Sequence, residues 1–210
     1  MSNATIRHRN RLHKEIDRKL GKGKGEQLLK GFMNITGNES PEERAKWAHS
    51  LSEHLDKNIE EKILMEIREG CACYKTNEKS GFAKKTFPEL KNKYPNEKDY
   101  LNAVAELLNK RGRCGKKVEV KNGEFISHFY YGDKNKCVCG VIENGWKKPF
   151  SSKTWCWCCC GLVKSLYQYV FPDRKCHVDI VETLANGGKD CVFRTWYTKK
   201  RKNRIHIRFD

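Results

Sequence analysis

The sequence predicts an α+β protein in which helices come first and a mostly antiparallel sheet, covered by one short helix, follows. Apolar residues recur at helical spacing up to about residue 112, and beyond it they alternate with a period of two. Asn122-Gly123 lies between two alternating runs, which is a strong signal for a β-hairpin. Because helices and strands occupy separate parts of the chain, the pattern favours α+β over an alternating α/β class.

The first well-marked helix is predicted to begin directly after Ser40. Ser40 suits the N-cap, Pro41 suits the first helical position, and Glu43 completes a capping box. Apolar residues then follow at steps of four, and Gly70 is placed to end the helix. Since this segment is close to 30 residues long, we expect a break near residues 56–58.

The rest of the chain divides at residue 112. We expect an irregular segment over 71–95, followed by a helix that is capped by Asn96 and ended by Gly112. The later elements are a hairpin over 116–132, a short helix over 161–171 and strands over 176–184, 191–197 and 203–209.

Charge and element type together predict the domain organisation. Residues 1–30 carry nine Lys or Arg against three Asp or Glu, and residues 189–210 carry eight against two, within a total charge of +17. We expect a basic helical arm over 1–36 and a single cysteine-rich domain over 37–210, helical over 37–112 and sheet-rich over 113–210. Basic ends suit contact with phosphates or an acidic surface, although they also occur on an ordinary solvated surface.

The expected location is the cytoplasm. The chain has no run of about 18 apolar residues, and its basic first 25 residues include no apolar stretch of the kind found in secretory signals. We therefore expect no membrane partner. Thiols stay reduced in the cytosol, where clustered cysteines more often bind metal than form disulfides.

Eleven cysteines, three of them starting C-x-C pairs beside glycines, are the strongest chemical signal in the sequence. Zinc with four thiolates needs sulfurs about 3.8 Å apart, and glycine allows the backbone bend that brings a C-x-C pair that close. The best-matched ligand set is Cys137, Cys139, Cys156 and Cys158, in which 16 residues separate the pairs. Second-tier ligands are Cys71, Cys73, Cys114 and Cys191. Thiolates favour zinc or an iron–sulfur cluster over hard cations.

Charge balance is expected to come from lysines near these pairs. They are Lys134, Lys136, Lys147, Lys148 and Lys153, and they would offset the excess negative charge of a four-thiolate site. Reduced structural thiols and redox disulfides are the alternatives to metal binding.

Cys160 has a separate interpretation as a nucleophile or redox thiol. It precedes Gly161 and the predicted helix, and the dipole at a helix N-terminus lowers the pKa of a thiol. Lys164 lies one turn further along. The alternative is that Cys160 packs or ligates, because the sequence shows no suitable catalytic partner.

Residues 65–198 resemble an uncharacterised family of cysteine-rich bacterial proteins that is related to the 4-vinyl reductase domain. The resemblance is carried by the C-x-C pairs at 137–139 and 156–158, the latter before a short helix, and by a strand–turn–strand ending with Asp190, Cys191 and Phe193. The sequence GCAC at 70–73 and Cys114 also fit the pattern.

This resemblance implies a 4-vinyl-reductase-like domain of antiparallel hairpins with helices over a pocket. It also implies relatives that include small-molecule sensors, some with a structural zinc held by cysteines and a glutamate. Glu182 stands at the position of that glutamate, but Ala185 stands where the partner cysteine would be. That particular zinc site is therefore incomplete here.

Three classes of function follow from these observations. The first is a metal-binding domain, with zinc as the metal, that binds a small molecule or acts as a sensor. The second is an enzyme, either a reductase with an iron–sulfur centre or a hydrolase that uses Cys160. The third is a nucleic-acid-binding protein that grips phosphates through its basic ends, which is not favoured because no recognised reading motif is present.

Overall fold

The computed structural model describes residues 4–72, 81–112, 115–129, 137, 139–142, 152 and 154–200. Its helices are α1 (Ala4–Leu20), α2 (Lys24–Leu29), α3 (Pro41–Asn58), α4 (Glu61–Gly70), α5 (Phe82–Lys93), α6 (Glu97–Arg111) and α7 (Trp157–Tyr167). Its strands are β1 (Lys117–Lys121), β2 (Glu124–His128), β3 (Arg174–Glu182) and β4 (Val192–Lys199). The α+β class, with helices before the sheet, is confirmed.

The four strands form one antiparallel sheet in the order β1-β2-β4-β3. The β1–β2 hairpin turns at Asn122 and Gly123, whose φ angles of 52° and 78° are the positive values that such a tight turn requires. In this order β4 lies between β2 and β3. The antiparallel pairing of β2 with β4 brings the start of β4 close to the end of β2.

The start of α3 follows the sequence prediction closely. The Ser40 hydroxyl accepts from the Glu43 backbone N–H at 3.3 Å, and the Glu43 carboxylate accepts from the Ser40 N–H at 2.8 Å. The break expected near 56–58 falls at Ile59 and Glu60, where the backbone is extended between α3 and α4.

Two boundaries differ from the sequence predictions. The irregular segment expected over 71–95 contains α5, because Ala83 and Phe87 lie one turn apart and both are buried despite Pro88 inside the helix. Helix α7 begins at Trp157, four residues earlier than expected, so it includes three of the clustered cysteines. The strand expected over 203–209 lies outside the described residues.

The interior consists of two apolar cores that share α7. The first core fills the space between the sheet and α5, α6 and α7, and its largest members include Phe87, Tyr100, Phe125, Tyr167 and Phe193. The second core lies among α1, α2, α3 and α4, and it includes Leu12, Ile16, Leu51, Leu55, Ile67 and Trp155. The clustered cysteines lie where these cores meet.

Helix α1, which lies within the basic helical arm expected over 1–36, is packed into the second core. Thr5, His8, Leu12 and Ile16 lie on one face at helical spacing, and all four are fully buried. The basic residues of α1 occupy the opposite face, so the helix is amphipathic in spite of its high net charge. In the described residues, no helix combines the length and the apolar character that crossing a bilayer requires.

Helices α4 and α7 pack with their backbones in close contact. Gly161 of α7 faces the Glu69 backbone, and a Cβ at Gly161 would overlap the Glu69 carbonyl oxygen. The contact places the first turn of α7, with its cysteines, beside the last turn of α4, which ends at Gly70 and Cys71.

Candidate metal centre

Four different segments bring cysteines to the boundary between the cores. Cys71 follows α4, Cys139 precedes a turn at 140–142, Cys156 is the N-cap of α7, and Cys191 directly precedes β4. All four side chains are buried. Contacts of high sequence separation therefore create this cluster.

Four of the thiols are near enough for charge on one to raise the pKa of another. They are Cys137, Cys139, Cys156 and Cys191, which we call the four-thiol cluster, and Cys159 lies in the same electrostatic surroundings. Burial raises the pKa of Cys156 most, and charge on any of the other three thiols raises it further. Burial and then charge on Cys139 and Cys191 raise the pKa of Cys137 in the same way.

Cys191 completes the cluster from the sheet side. Burial raises its pKa to about 11, with further contributions from Asp190, Glu182 and Cys139, while the Leu184 N–H donates to its sulfur at 3.5 Å and opposes the rise. Raised pKa values mean that the thiols are protonated at neutral pH. A metal ion that binds them must therefore displace protons.

The four thiols of the predicted ligand set lie in one region, but Cys158 has different neighbours from Cys137, Cys139 and Cys156. Cys158 donates to the Trp155 carbonyl at 3.6 Å, and it lies with Cys71 and Cys139 in the electrostatic surroundings of Arg68. Cys139 thus interacts both with the four-thiol cluster and with Arg68. The second-tier ligand Cys191 takes the place within the cluster that the sequence suggested for Cys158.

The described residues, which include all four thiols of the cluster, do not form a coordination shell. Among them, no three Cys, His, Asp or Glu side chains are arranged to hold a metal ion. The predicted second-tier ligands Cys73 and Cys114 lie outside the described residues, as do the lysines expected to balance charge.

Arg68 is a buried cation that sequence reasoning missed. Its side chain is fully buried on α4, and its guanidinium lies 4.4 Å from the centre of the Trp155 ring. Nη1 donates to Nε2 of His8 at 3.2 Å, whereas Nε and Nη2 have no hydrogen-bond partner among the described residues. An arginine at the end of an amphipathic helix is usually exposed, so no local signal marked this one.

His8 holds the guanidinium in place from α1. Burial, followed by the charges of Arg68 and Arg11, lowers the pKa of His8 to about 3. The imidazole is therefore neutral at physiological pH, and its Nε2 accepts a hydrogen bond from the Arg68 guanidinium. The His8 ring also lies 5.2 Å from the Trp155 ring.

Cys160 does not have the environment expected of a nucleophile. It is fully buried in the first core, and burial, followed by charge on Glu69 and Asp179, raises its pKa well above the usual value. Lys164 forms an ion pair with Glu69 at 2.6 Å. The lowered pKa expected for Cys160 is wrong, because burial of this thiol in the first core raises its pKa instead.

A polar groove of about 540 Å³ lies on the outer side of the α4–α7 contact. Its cations are Arg18, Lys19, Lys164 and Lys175, and its carboxylates Glu66 and Glu69 pair with Lys19 and Lys164. The groove adjoins α7, the helix that includes Cys158, Cys159 and Cys160.

The resemblance also singled out Glu182 and Ala185, which lie at and just after the end of β3. Glu182 at the end of β3 lies near Cys191 and contributes to the rise in its pKa. Ala185 is fully buried in the short helix Leu184–Asn186. Glutamate and thiol are thus neighbours here, with Cys191 as the nearby sulfur.

Comparison with known proteins supports a family but no activity. No curated protein matches the chain. A family of unknown function, DUF6144, matches residues 12–202, which include α3 to α7, the whole sheet and all eleven cysteines. This protein is therefore a member of the DUF6144 family.

Proposed function

We propose that this protein binds a metal ion through the thiolates of Cys137, Cys139, Cys156 and Cys191, and that the metal is zinc. The observation that supports the proposal is the gathering of buried thiols at the boundary of the two cores, where the Leu184 N–H donates to the Cys191 sulfur and Cys156 hydrogen-bonds to the neighbouring Thr183. Four thiolates make a soft, closed site, which suits structural zinc and excludes calcium and magnesium.

The chemistry of the donors also explains their burial. A thiol in an apolar core is a weak acid, but a zinc ion stabilises the thiolate directly and removes the penalty of leaving it uncompensated. Zinc–sulfur bonds of about 2.3 Å would draw the four sulfurs to a common point. The bound ion would then join three segments that are distant in sequence, namely 137–142, the start of α7 and the start of β4.

Binding a small molecule or acting as a sensor is the second part of this proposal. We include in this proposal the relation to the 4-vinyl reductase domain, because proteins related to that domain include small-molecule sensors. The polar groove beside α7 supports it, because its four cations outnumber its two carboxylates and the excess positive charge favours an anionic ligand. A metal at the start of α7 would fix the wall of this groove.

Metal analysis tests the proposal directly. Protein purified without oxygen and without an affinity tag is expected to contain about one zinc per chain by plasma mass spectrometry. Cys156→Ser and Cys191→Ser are expected to lose it, and Cys176→Ser is the matched control because Cys176 is a buried thiol of the first core.

The outcomes separate the alternatives. A brown protein containing iron and sulfide would replace zinc with an iron–sulfur cluster and favour a reductase. If Cys191→Ser retains zinc and Cys158→Ser loses it, then Cys158 is the fourth ligand, as the sequence suggested, and Cys191 is not. A wild-type protein that stays metal-free after incubation with zinc under reducing conditions would overturn the proposal.

A further inference from the structure

Helix α1 presents a stripe of four cations on its outer side. Arg7, Arg11, Lys14 and Arg18 follow one another at steps of four, three and four residues, the spacing that places side chains on one side of a helix. Arg7, Lys14 and Arg18 are exposed, and Arg11 is half-buried. We call these four residues the basic stripe. Because a helix rises about 1.5 Å per residue, the stripe is about 16 Å long.

The apolar side of α1 attaches the basic stripe to the rest of the molecule. Leu12 and Ile16 are fully buried in the second core, so the helix cannot turn without exposing them. Arg11 donates from Nη1 to the backbone carbonyl of Ala72 at 3.0 Å, and this neutral partner leaves its positive charge in place. The spacing of the four cations is therefore set by packing before any partner binds.

The few carboxylates near the basic stripe leave it positively charged. Glu15 forms an ion pair with Arg18 at 2.5 Å, whereas Asp17 accepts from the Gly25 backbone N–H at 2.7 Å and so holds α2 against α1. Residues 1–30 carry nine Lys or Arg against three Asp or Glu, which gives this part of the chain a net charge of +6. A surface with such an excess of one charge attracts polyanions.

Two features of α1 select the kind of polyanion. Basic amphipathic helices bind membranes by inserting their apolar face, but the apolar face of α1 is already buried in the second core. Proteins that bind single strands combine cations with aromatic rings on which bases stack, and α1 contains no Phe, Tyr or Trp. A duplex presents about five phosphates on each strand along about 16 Å, so all four cations can contact phosphates at once.

We infer that the basic stripe binds the phosphate backbone of a double-stranded nucleic acid without reading its sequence. Three of its four members are arginines, whose planar fork binds phosphate oxygens in pairs. Contacts of this kind position a protein on a duplex but carry no sequence information, so they need no reading motif. The inference is separate from the proposed metal site and does not depend on it.

The experiment measures binding of the full chain to a fluorescent DNA duplex of arbitrary sequence by anisotropy, at salt concentrations from about 50 to about 200 mM. The stripe variant combines Arg7→Gln, Lys14→Gln and Arg18→Gln. Its slope of log affinity against log salt is expected to be shallower than that of the wild type by about three, since each lost phosphate contact removes about one.

The matched control removes the same charge from another part of the surface. It combines Lys85→Gln, Lys98→Gln and Lys110→Gln, which are exposed positions on α5 and α6. The control variant is expected to keep the salt slope of the wild type, because the basic stripe is intact. Melting temperatures equal to that of the wild type verify that both variants are folded.

Four results would overturn the inference. The first is a wild-type protein that does not bind the duplex at about 100 µM in low salt. The second is an equal change of slope in the two variants, which would make net charge the cause. The third is tighter binding to oligo(dT), and the fourth is equal or tighter binding to anionic vesicles or to polyglutamate. If the stripe variant does not fold, Lys14→Gln is compared with Lys85→Gln, and equal slopes in that pair reject the basic stripe.

Discussion

Arg68 and His8 meet in the interior, where Nη1 of the guanidinium lies 3.2 Å from Nε2 of the imidazole and neither side chain is exposed. The contact joins α1 to α4 across 60 residues of sequence. It works only while the imidazole is neutral, because a protonated His8 would place two positive charges against each other without solvent.

His8 is expected to make stability depend on pH below its usual titration range. Its pKa in the folded protein is about 3, against 6.5 as the ordinary value. As the pH falls from 6.5 towards 3, His8 becomes protonated in the unfolded chain but stays neutral in the folded protein. The free energy of unfolding therefore decreases. His8→Gln keeps an acceptor for Arg68 without titrating.

The measurement is urea unfolding at several pH values between 8 and 4, in EDTA so that metal release does not contribute. The loss of stability on acidification is expected to be smaller for His8→Gln than for the wild type. Parallel profiles over this range would show that the imidazole is not buried as a neutral group.

The close approach of α4 and α7 predicts that Gly161→Ala is destabilising. The added methyl group would overlap the Glu69 backbone carbonyl, which cannot rotate away as a flexible side chain could. We expect a cost of about 1–3 kcal/mol in urea unfolding. Gly31→Ala is the control, since a Cβ there meets nothing within 4 Å, and its effect should stay within about 0.5 kcal/mol.

The capping box of α3 predicts a smaller and local effect. Ser40→Ala removes the oxygen that accepts from the Glu43 N–H, and we expect a loss of about 1 kcal/mol in the free energy of unfolding. Ser50→Ala, at an exposed position inside the same helix, is expected to be neutral or slightly stabilising. Equal effects of the two substitutions would contradict a capping role.

Metal removal is expected to lower thermal stability, because the bound ion joins segments that are otherwise held only by packing. EDTA should reduce the melting temperature of wild-type protein by more than about 4 °C, which for a chain of this size corresponds to at least 1 kcal/mol. Cys191→Ser should show no response to EDTA, whereas Cys176→Ser should respond like the wild type. An EDTA response that survives in Cys191→Ser would exclude that thiol as a ligand.

Local chemistry explains which predictions were confirmed. Ser40, Glu43, Asn96, Gly112 and Asn122-Gly123 act on backbone groups within a few residues of themselves, so they marked the ends of helices and the hairpin correctly. Helix α5 was missed because Pro88 is usually a helix breaker. The burial of Ala83 and Phe87 against the first core outweighs that preference.

The sequence alone determined the class of fold, most element boundaries and the presence of an unusual concentration of thiols, because these depend on residue type and on short-range spacing. Only the tertiary structure decided which thiols meet. Cys191 comes into the electrostatic surroundings of Cys137, Cys139 and Cys156 because β4 pairs between β2 and β3, and Arg68 is buried where His8 of α1 meets it. Contacts between segments that are distant in sequence arise from tertiary packing, and short-range sequence patterns do not predict them.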